Sequence, residues 1–173
     1  MLTLRAYNPD TNTDREAIAK IYGHHVLHGS ASFETEAPNA SEMHRRMQQI
    51  RDGGFPVLIA DLDGHIAGYA YAGPFHHRAA YGGTVEDSIY VDHAMQRRGV
   101  GRALLTELIT QVRQAGFQQM MAVIGDSQNT GSIELHRTLG FRDIGIARGI
   151  GFKFGRFVDV VYMQLPLRDD QTN

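Results

Sequence analysis

The stretch that decides the fold is Tyr90-Val91-Asp92-His93-Ala94-Met95-Gln96-Arg97-Arg98-Gly99-Val100-Gly101-Arg102-Ala103-Leu104. Residues 84–91 enter it as a predicted strand, and the apolar residues after the loop recur at helical spacing. The loop and helix start carry two glycines and three arginines: Gly99, Gly101, Arg97, Arg98 and Arg102. The first N–H groups of a helix lack partners and the helix dipole adds positive charge, so this stretch predicts a pyrophosphate-binding loop.

An ordinary turn beside a solvated arginine face is the alternative interpretation of the same stretch. Two other phosphate motifs fit it less well. A P-loop requires Gly-x-x-x-x-Gly-Lys-Ser/Thr, which is absent. A dinucleotide-binding fingerprint requires a third small residue at position 104, where this chain has Leu104.

Outward from this loop, the sequence predicts alternating strands and helices. A Thr13–Glu16 capping box and an Asn39–Glu42 box mark two helix starts, and Asn129 caps a helix that stops at Gly140. A long helix runs from Val100 to near residue 116. The predicted strands cover residues 2–6, 57–62, 65–72, 84–91, 120–124, 142–150 and 157–165. This order predicts one α+β (α/β three-layer) domain over residues 1–173, with its core at about 2–166 and a flexible tail at 167–173.

Composition excludes several classes of protein. The formal net charge of −2 provides no basic excess for a nucleic-acid or membrane partner. There are no cysteines, which excludes disulfides, thiolate metal sites and a cysteine nucleophile. His24 and His28 have a spacing that can bind zinc, but no third ligand is evident and we predict no metal. The chain opens with no signal-peptide pattern and has no long apolar run, so we expect a cytoplasmic location.

The segment Gln96-Arg97-Arg98-Gly99-Val100-Gly101 resembles motif A of the GNAT superfamily of N-acetyltransferases, Gln/Arg-x-x-Gly-x-Gly/Ala. Further segments resemble the phosphinothricin and methionine sulfone/sulfoximine N-acetyltransferase branch of that superfamily. They are residues 31–36, 68–72, 84–91, 135–141 and 152–157. The resemblance covers about residues 2–166.

This resemblance implies a GNAT-like mixed, mostly antiparallel central sheet, flanked by helices, in which two parallel strands splay apart around acetyl-CoA. It implies that Ile89, Tyr90 and Val91 offer backbone partners to the pantetheine arm of acetyl-CoA. It also implies that residues 97–102 hold the pyrophosphate and that Asn129 faces the CoA arm. The relatives form homodimers and acetylate small-molecule amines, so the same is expected here.

The acceptor pocket is where the sequence departs from the branch. Its common pattern, Phe/Trp-Arg-x-Arg-x-x-Tyr-Arg, appears here as Phe75-His76-His77-Arg78-Ala79-Ala80-Tyr81-Gly82, with His76 and Gly82 in place of arginines. We expect Arg78 and Lys153 to pair with an acceptor carboxylate or phosphinate. The alternative is that both are ordinary surface cations. Aromatic residues and a histidine are expected to wall this pocket: Phe33, Phe75, Tyr81 and His76.

Glu86 is the predicted general base. An amine attacks a thioester only as the free base, and a nearby carboxylate can take its proton. Strand alternation puts Glu86 on the opposite face from Asp87, and an acid within a buried strand needs a function or a partner. A salt bridge to Arg78 is the structural alternative, and Asp87 is the alternative base if a bulge shifts the strand.

His136 occupies the helix position where many relatives place a tyrosine thought to protonate the departing thiolate. It is therefore predicted as a general acid, with a packed structural histidine as the alternative. The absence of cysteine favours direct transfer in a ternary complex. Competing functions are acetylation of a polyamine, an aminoglycoside or a protein terminus, and a CoA-binding module without catalysis.

Overall fold

The structure, a computed structural model, describes residues 1–168. Its strands are β1 (Leu2–Ala6), β2 (Val57–Leu62), β3 (His65–Pro74), β4 (Thr84–Val91), β5 (Gln119–Gly125), β6 (Arg142–Lys153) and β7 (Arg156–Pro166). Its helices are α1 (Asn12–His28), α2 (Ala40–Asp52), α3 (Val100–Gln114) and α4 (Thr130–Thr138). None of these helices is both long and apolar enough to cross a membrane.

The seven strands form one sheet in the order β1-β2-β3-β4-β5-β7-β6. The pair β4–β5 is parallel, and the other neighbouring pairs are antiparallel. Pairing of β4 with β5 covers only Thr84–Glu86 against Gln119–Met121, whereas β4 stays paired with β3 as far as Val91. The predicted mixed, mostly antiparallel sheet with splayed parallel strands is confirmed.

Helices cover both faces of the sheet, which gives three layers. On one face, α3 and α4 pack against an apolar core that includes Val85, Leu104 and Met163. On the other face, α1 and α2 pack against a second core that includes Tyr69. Alternate residues of one strand enter opposite cores, because successive side chains of a strand point to opposite faces.

The helix starts differ in how well the sequence predicts them. At α2, the Asn39 side chain accepts a hydrogen bond from the Glu42 N–H at 2.9 Å, as the predicted capping box requires. At α1 the prediction of a Thr13 cap is wrong, because the helix begins at Asn12. Asp14, inside the first turn, is instead buried and accepts two hydrogen bonds from Arg5, at 2.6 and 2.7 Å. A long-range ion pair, which a local pattern does not contain, therefore fixes this helix start.

At the carboxyl end, the packed chain extends past the predicted core. Leu167 is 5% exposed, packs in the α3-side core and donates its N–H to the Gln118 carbonyl at 2.8 Å. The predicted tail began at residue 167, so its first residue belongs to the core. The rest of that tail, residues 169–173, lies outside the described residues.

Candidate functional site

A cavity of about 480 Å³ lies where β4 and β5 separate. Its walls include Glu86 to Tyr90 of β4 and Ala122 to Gly125 of β5. Other lining residues come from α1, β3, the segment after α1, α4 and β7: Tyr22, Tyr71, Ala31, Ser32, Phe33, Glu34, Asn129, Ser132, His136 and Val160. Residues from both faces of the sheet therefore line one opening between the splayed strands.

The backbone edge of β4 faces this opening at every second residue. Asp92 donates its N–H to Ala67 of β3, and Phe75 donates to Thr84. Because hydrogen-bonding direction alternates along a strand, the amides of even-numbered residues face β3, and those of Ile89 and Val91 face the opening. The Tyr90 amide is thus directed into the β3 ladder, contrary to the prediction that it faces the pantetheine arm.

One acceptor on that open edge already has a protein partner. The Nε2–H of His25, near the end of α1, donates to the Val91 carbonyl at 2.9 Å. Burial lowers the pKa of His25, so the neutral imidazole is favoured there. The free backbone groups nearest the cavity are therefore those of Ile89 and the Val91 N–H.

The glycines of the phosphate loop have different structural roles. Gly99 is the N-cap of α3 with φ = 80°, in the left-handed region that glycine tolerates without strain. A Cβ at Gly101 would lie 3.3 Å from Leu135 of α4, so this glycine permits close packing of α3 on α4. Gly99 thus shapes the loop, and Gly101 brings the two helix starts together.

The charged residues of the loop surround the start of α3. Arg97 and Arg98 are exposed immediately before it, and Arg97 also has a positive φ of 61°. Arg102, in the first turn, donates to the Thr138 hydroxyl at 3.3 Å. Val100 is buried and anchors the helix start in the core. The predicted pyrophosphate loop is consequently a helix N-terminus with three adjacent guanidinium groups.

Asn129 lies at the start of the next helix, on the cavity wall. Its side-chain oxygen accepts the Ser132 N–H at 3.4 Å, which makes it the predicted N-cap of α4. It also lines the cavity. This cap fixes the helix that carries His136 into the same opening.

Glu86 is the carboxyl group of β4 that lines the cavity from the α1 side of the sheet. The β3–β4 register has no bulge, so the predicted alternation of Glu86 and Asp87 between the two faces is confirmed. Burial, with the charge of Asp87 as a second cause, raises the pKa of Glu86 to about 7. A carboxyl group with that pKa takes up and releases protons near neutral pH.

Asp87 and His136 form a buried pair in the cavity wall on the α4 side of the sheet. His136 Nε2 lies 3.0 Å from Asp87 Oδ2, and His136 Nδ1 lies 2.7 Å from the Ser132 carbonyl. Both partners are acceptors, so with Asp87 ionised the ring carries a proton on each nitrogen. Burial lowers the pKa of His136, but the charge and hydrogen bond of Asp87 outweigh it, and the net pKa is raised. Sequence reasoning considered both residues separately and missed the pair.

A second carboxyl group, Glu34, lines the cavity opposite β4. It accepts hydrogen bonds from Arg46 at 2.6 Å and from the Tyr22 hydroxyl at 2.7 Å. Burial opposes its ionisation, but Arg46 outweighs this and lowers the pKa of Glu34. Of these two glutamates, Glu34 is thereby held ionised, and Glu86 titrates near pH 7. The sequence places Glu34 only within a segment that resembles the family, because its partner Arg46 lies on α2, in a different element of the fold.

The predicted acceptor residues are dispersed. Phe33 lines the cavity. Phe75 and His76 instead pack on Tyr81, with ring centroids 5.9 and 4.9 Å from its ring. All three lie in the loop after β3, which also carries the exposed Arg78. That loop leaves β3 just beyond the residue that pairs with Glu86, so it adjoins the cavity without lining it.

Lys153 differs most from its prediction. It is 4% exposed, and its ammonium group donates to the carbonyls of Gly29 and Ser32 at 2.8 and 2.5 Å. It does not line the cavity. Both the predicted acceptor contact and the alternative of an ordinary surface cation are therefore wrong for this residue.

A split mixed sheet with a glycine-shaped helix start and a cavity beside it defines an acyltransferase-type fold. The family model described as an acetyltransferase (GNAT) domain matches residues 10–162. The chain belongs to this family. Its predicted enzyme class, an N-acetyltransferase, is confirmed.

Individual relatives agree with this assignment. The chain is 44% identical to a phosphinothricin N-acetyltransferase of Alcaligenes faecalis, over 98% of this chain and 85% of that protein. It is 38% identical to an L-methionine sulfoximine/L-methionine sulfone acetyltransferase of Salmonella typhimurium, over 89% of this chain and 90% of that protein. The structure matches that of a phosphinothricin acetyltransferase from Sinorhizobium meliloti in complex with acetyl-CoA, with a TM-score of 0.90, 42% identity and coverage of 95% and 88%.

Proposed function

We propose that this protein transfers the acetyl group of acetyl-CoA to the amine of a small amino-acid-like molecule. The observation that carries the proposal is Glu86, a carboxyl group with a pKa of about 7 on the wall of the cavity between the splayed strands. A base with a pKa near the working pH is best suited to remove a proton from an attacking amine.

Residues around the opening fit acetyl-CoA. The N–H groups that begin α3 and the three neighbouring arginines suit a pyrophosphate, since both supply positive charge and hydrogen-bond donors. The open β4 edge at Ile89 and Val91 suits an amide-bearing arm, because such an arm can add to a strand as another strand does. Asn129 lies on the cavity wall between these regions.

The chain's own groups then perform the proton transfers. Acetyl-CoA, when bound, supplies an activated acetyl group as a thioester. Glu86 takes a proton from the acceptor amine, directly or through water, and direct transfer follows in a ternary complex. His136 is the proposed acid for the departing thiolate, but both of its ring N–H groups are engaged in hydrogen bonds, so donating a proton disrupts one of them.

The relatives support a small acceptor. Their names are those of acetyltransferases for phosphinothricin and for methionine sulfoximine or sulfone, which are compact amino-acid analogues. Arg46 pairs with Glu34 and holds it ionised, so its carboxylate oxygens on the cavity wall can accept hydrogen bonds from an ammonium-bearing acceptor. Arg78, exposed in the adjoining loop, remains the proposed partner for the acceptor's acidic group.

The test is an acceptor screen that measures thiol release from acetyl-CoA. We expect release with phosphinothricin, L-methionine sulfone and L-methionine sulfoximine, and little with spermidine, an aminoglycoside or a peptide with a free N-terminus. Release only with one of the last three would change the acceptor class. Acetyl-CoA binding without release for every acceptor would identify a CoA-binding module without catalysis.

Homodimerisation through the β6–β7 hairpin is part of the proposal. Large apolar side chains of this hairpin are exposed, and together we name them the hairpin face: Ile144, Ile146, Ile150, Phe152, Phe154 and Phe157. Phe152 and Phe157 pack on each other with ring centroids 5.2 Å apart. Large apolar side chains exposed together on one hairpin favour an interaction surface there. We also propose a cytoplasmic location, since a chain without cysteines needs no oxidising compartment.

A further inference from the structure

The segment that follows α1 is fixed to the far side of the sheet by one buried ammonium group. We call residues 29–34 the acceptor loop, because residues 31–34 line the cavity. Lys153, the last residue of β6, donates to the Gly29 and Ser32 carbonyls, at 2.8 and 2.5 Å. A buried lysine is costly unless its donors are satisfied, so these two bonds stabilise one position of the loop.

Two close approaches fix the same loop on neighbouring strands. A Cβ added at Gly151 of β6 would lie 2.2 Å from the Phe33 ring. A Cβ added at Gly125, at the end of β5, would lie 2.1 Å from the Ser30 carbonyl oxygen. A side chain at Gly125 would displace the loop backbone at Ser30, and a side chain at Gly151 would displace the Phe33 ring. The acceptor loop therefore rests on β5 and β6 at three separate points.

The consequence concerns the cavity residues that the loop carries. Phe33 and Glu34 follow directly after Ser32, whose carbonyl Lys153 holds. Glu34 is tied from the other side by Arg46 and Tyr22. Movement at Lys153 would thus displace Phe33 and Glu34, which line the same cavity as Glu86. The loop before α3 is not part of that cavity lining and has its own cap at Gly99.

We propose that Lys153 is a positioning residue for the acceptor amine: it holds the acceptor loop so that Phe33 and Glu34 form the acceptor side of the cavity. Lys153 itself touches neither substrate. This inference rests on the proposed function, because it assigns the acceptor, and not acetyl-CoA, to the part of the cavity that the acceptor loop lines.

The first test replaces Lys153 by Met, which keeps the length of the stem and removes the ammonium group. With L-methionine sulfone as the probe, we expect KM for the acceptor to rise by about tenfold or more, and KM for acetyl-CoA to stay within about twofold. Hydrogen–deuterium exchange of the acceptor loop should become faster. An equal rise of both KM values, or an unchanged acceptor KM, would overturn the inference.

A second pair of variants protects the test against misfolding. Gly151→Ala inserts one methyl group against Phe33, while Gly145→Ala on the same strand meets no atom within 4 Å. Gly151→Ala should raise the acceptor KM, and Gly145→Ala should not. In a Phe33→Ala background, Gly151→Ala should have no further effect. Equal effects of the two alanine variants would contradict the proposed positioning role.

The exchange measurement separates this inference from the proposed function. If none of the tested acceptors makes the wild-type protein release thiol from acetyl-CoA, the proposed function fails. Faster exchange of the loop in Lys153→Met would even then support the positioning contact. If the wild type is active and neither the exchange nor the acceptor KM changes, the inference fails and the proposed function stands.

Discussion

Asp87 Oδ2 lies 3.0 Å from His136 Nε2, and this contact joins strand β4 to helix α4 across the wall of the cavity. The same carboxylate acts on both predicted proton-transfer groups. Its charge raises the pKa of His136, and it adds to the burial that raises the pKa of Glu86. The proton affinities of Glu86 and His136 are therefore coupled through the charge of Asp87.

Asp87→Asn should shift the pH dependence of activity. Removing the negative charge beside Glu86 makes its ionised form less unfavourable, so the pKa of Glu86 falls and the acid limb of kcat/KM moves to lower pH. The measurement is a pH profile with saturating acetyl-CoA. Asp52→Asn, at the end of α2, is the control and should leave the profile unchanged. An acid limb that stays in place in Asp87→Asn would refute the coupling.

Glu86→Gln should lower kcat by about 10²–10⁴-fold, the usual effect of removing a general base. The KM for acetyl-CoA should be nearly unchanged, because Glu86 lies away from the phosphate loop. Steady-state kinetics with L-methionine sulfone measures both. Glu16→Gln changes an exposed carboxyl group of α1 and serves as the matched control. If Glu86→Gln is as fast as the wild type, the base has been assigned wrongly.

The same substitution should stabilise the folded protein at alkaline pH. The folded pKa of Glu86 is about 7, against an ordinary value of 4.5, so the folded state binds the proton more tightly than the unfolded state. Stability from this group is complete below pH 4.5 and is lost as pH rises to about 7. A glutamine at this position does not ionise, so its contribution to the free energy of unfolding does not fall over this pH range. The Tm of Glu86→Gln should therefore exceed that of the wild type above pH 7 and not at pH 4, as measured by thermal unfolding. A gap that shrinks with rising pH would contradict the raised pKa.

Gly99→Val should weaken acetyl-CoA binding. A β-branched residue at φ = 80° is strained by about 1–3 kcal/mol, which distorts the loop before α3. We expect the Kd for acetyl-CoA to rise about tenfold, since about 1.4 kcal/mol corresponds to that factor. Gly99→Asn is the matched variant, because asparagine tolerates the left-handed region, and its affinity should stay closer to the wild type. Isothermal titration calorimetry measures the Kd for acetyl-CoA of each variant. Equal Kd values for the wild type, Gly99→Val and Gly99→Asn would contradict a role of this loop in binding.

Phe157→Glu should dissociate the proposed homodimer. Phe157 is 72% exposed and packs against Phe152 on the hairpin face, where a charge opposes an apolar contact. Leu27→Glu, on α1, changes an equally apolar exposed residue outside that face. Sedimentation should show a smaller particle for Phe157→Glu alone. A wild-type monomer, or a dimer that survives Phe157→Glu, would contradict this interface.

Most of the fold could be predicted from sequence because its signals are local. The β4 strand and the start of α3 at Val100 coincide with the predicted ones, since hydrophobic periodicity and a glycine cap lie within a few residues of one another. The Asn39 cap was found for the same reason. Asp14 was missed because its partner Arg5 belongs to another element.

In the candidate site, too, local patterns mark some residues, whereas long-range contacts that the sequence does not reveal position others. Glu86 and Asn129 both line the cavity, and strand alternation and a capping pattern are the local signals that single them out. Their predicted roles stay predictions. The buried contacts of Lys153 depend on how β6 meets the segment after α1, more than 100 residues earlier in the chain, and no periodicity encodes that distance. Charged residues selected by type alone were accordingly the least reliable predictions.

The short seam between β4 and β5 also has a mechanical consequence. Backbone pairing between β4 and β5 stops at Glu86, so the sheet consists of two parts, β1–β4 and β5–β7. Fewer residues are paired between β4 and β5 than between any other neighbouring strands of the sheet. Bending about that seam breaks little backbone pairing, whereas bending elsewhere breaks a full ladder. Glu86 is the last residue of β4 that pairs with β5. Bending of the sheet at this pairing would move the residues around Glu86 least and would widen the far end of the cleft most. The end of the cleft at Glu86 is therefore the stiffer one, and its far end is the more compliant one.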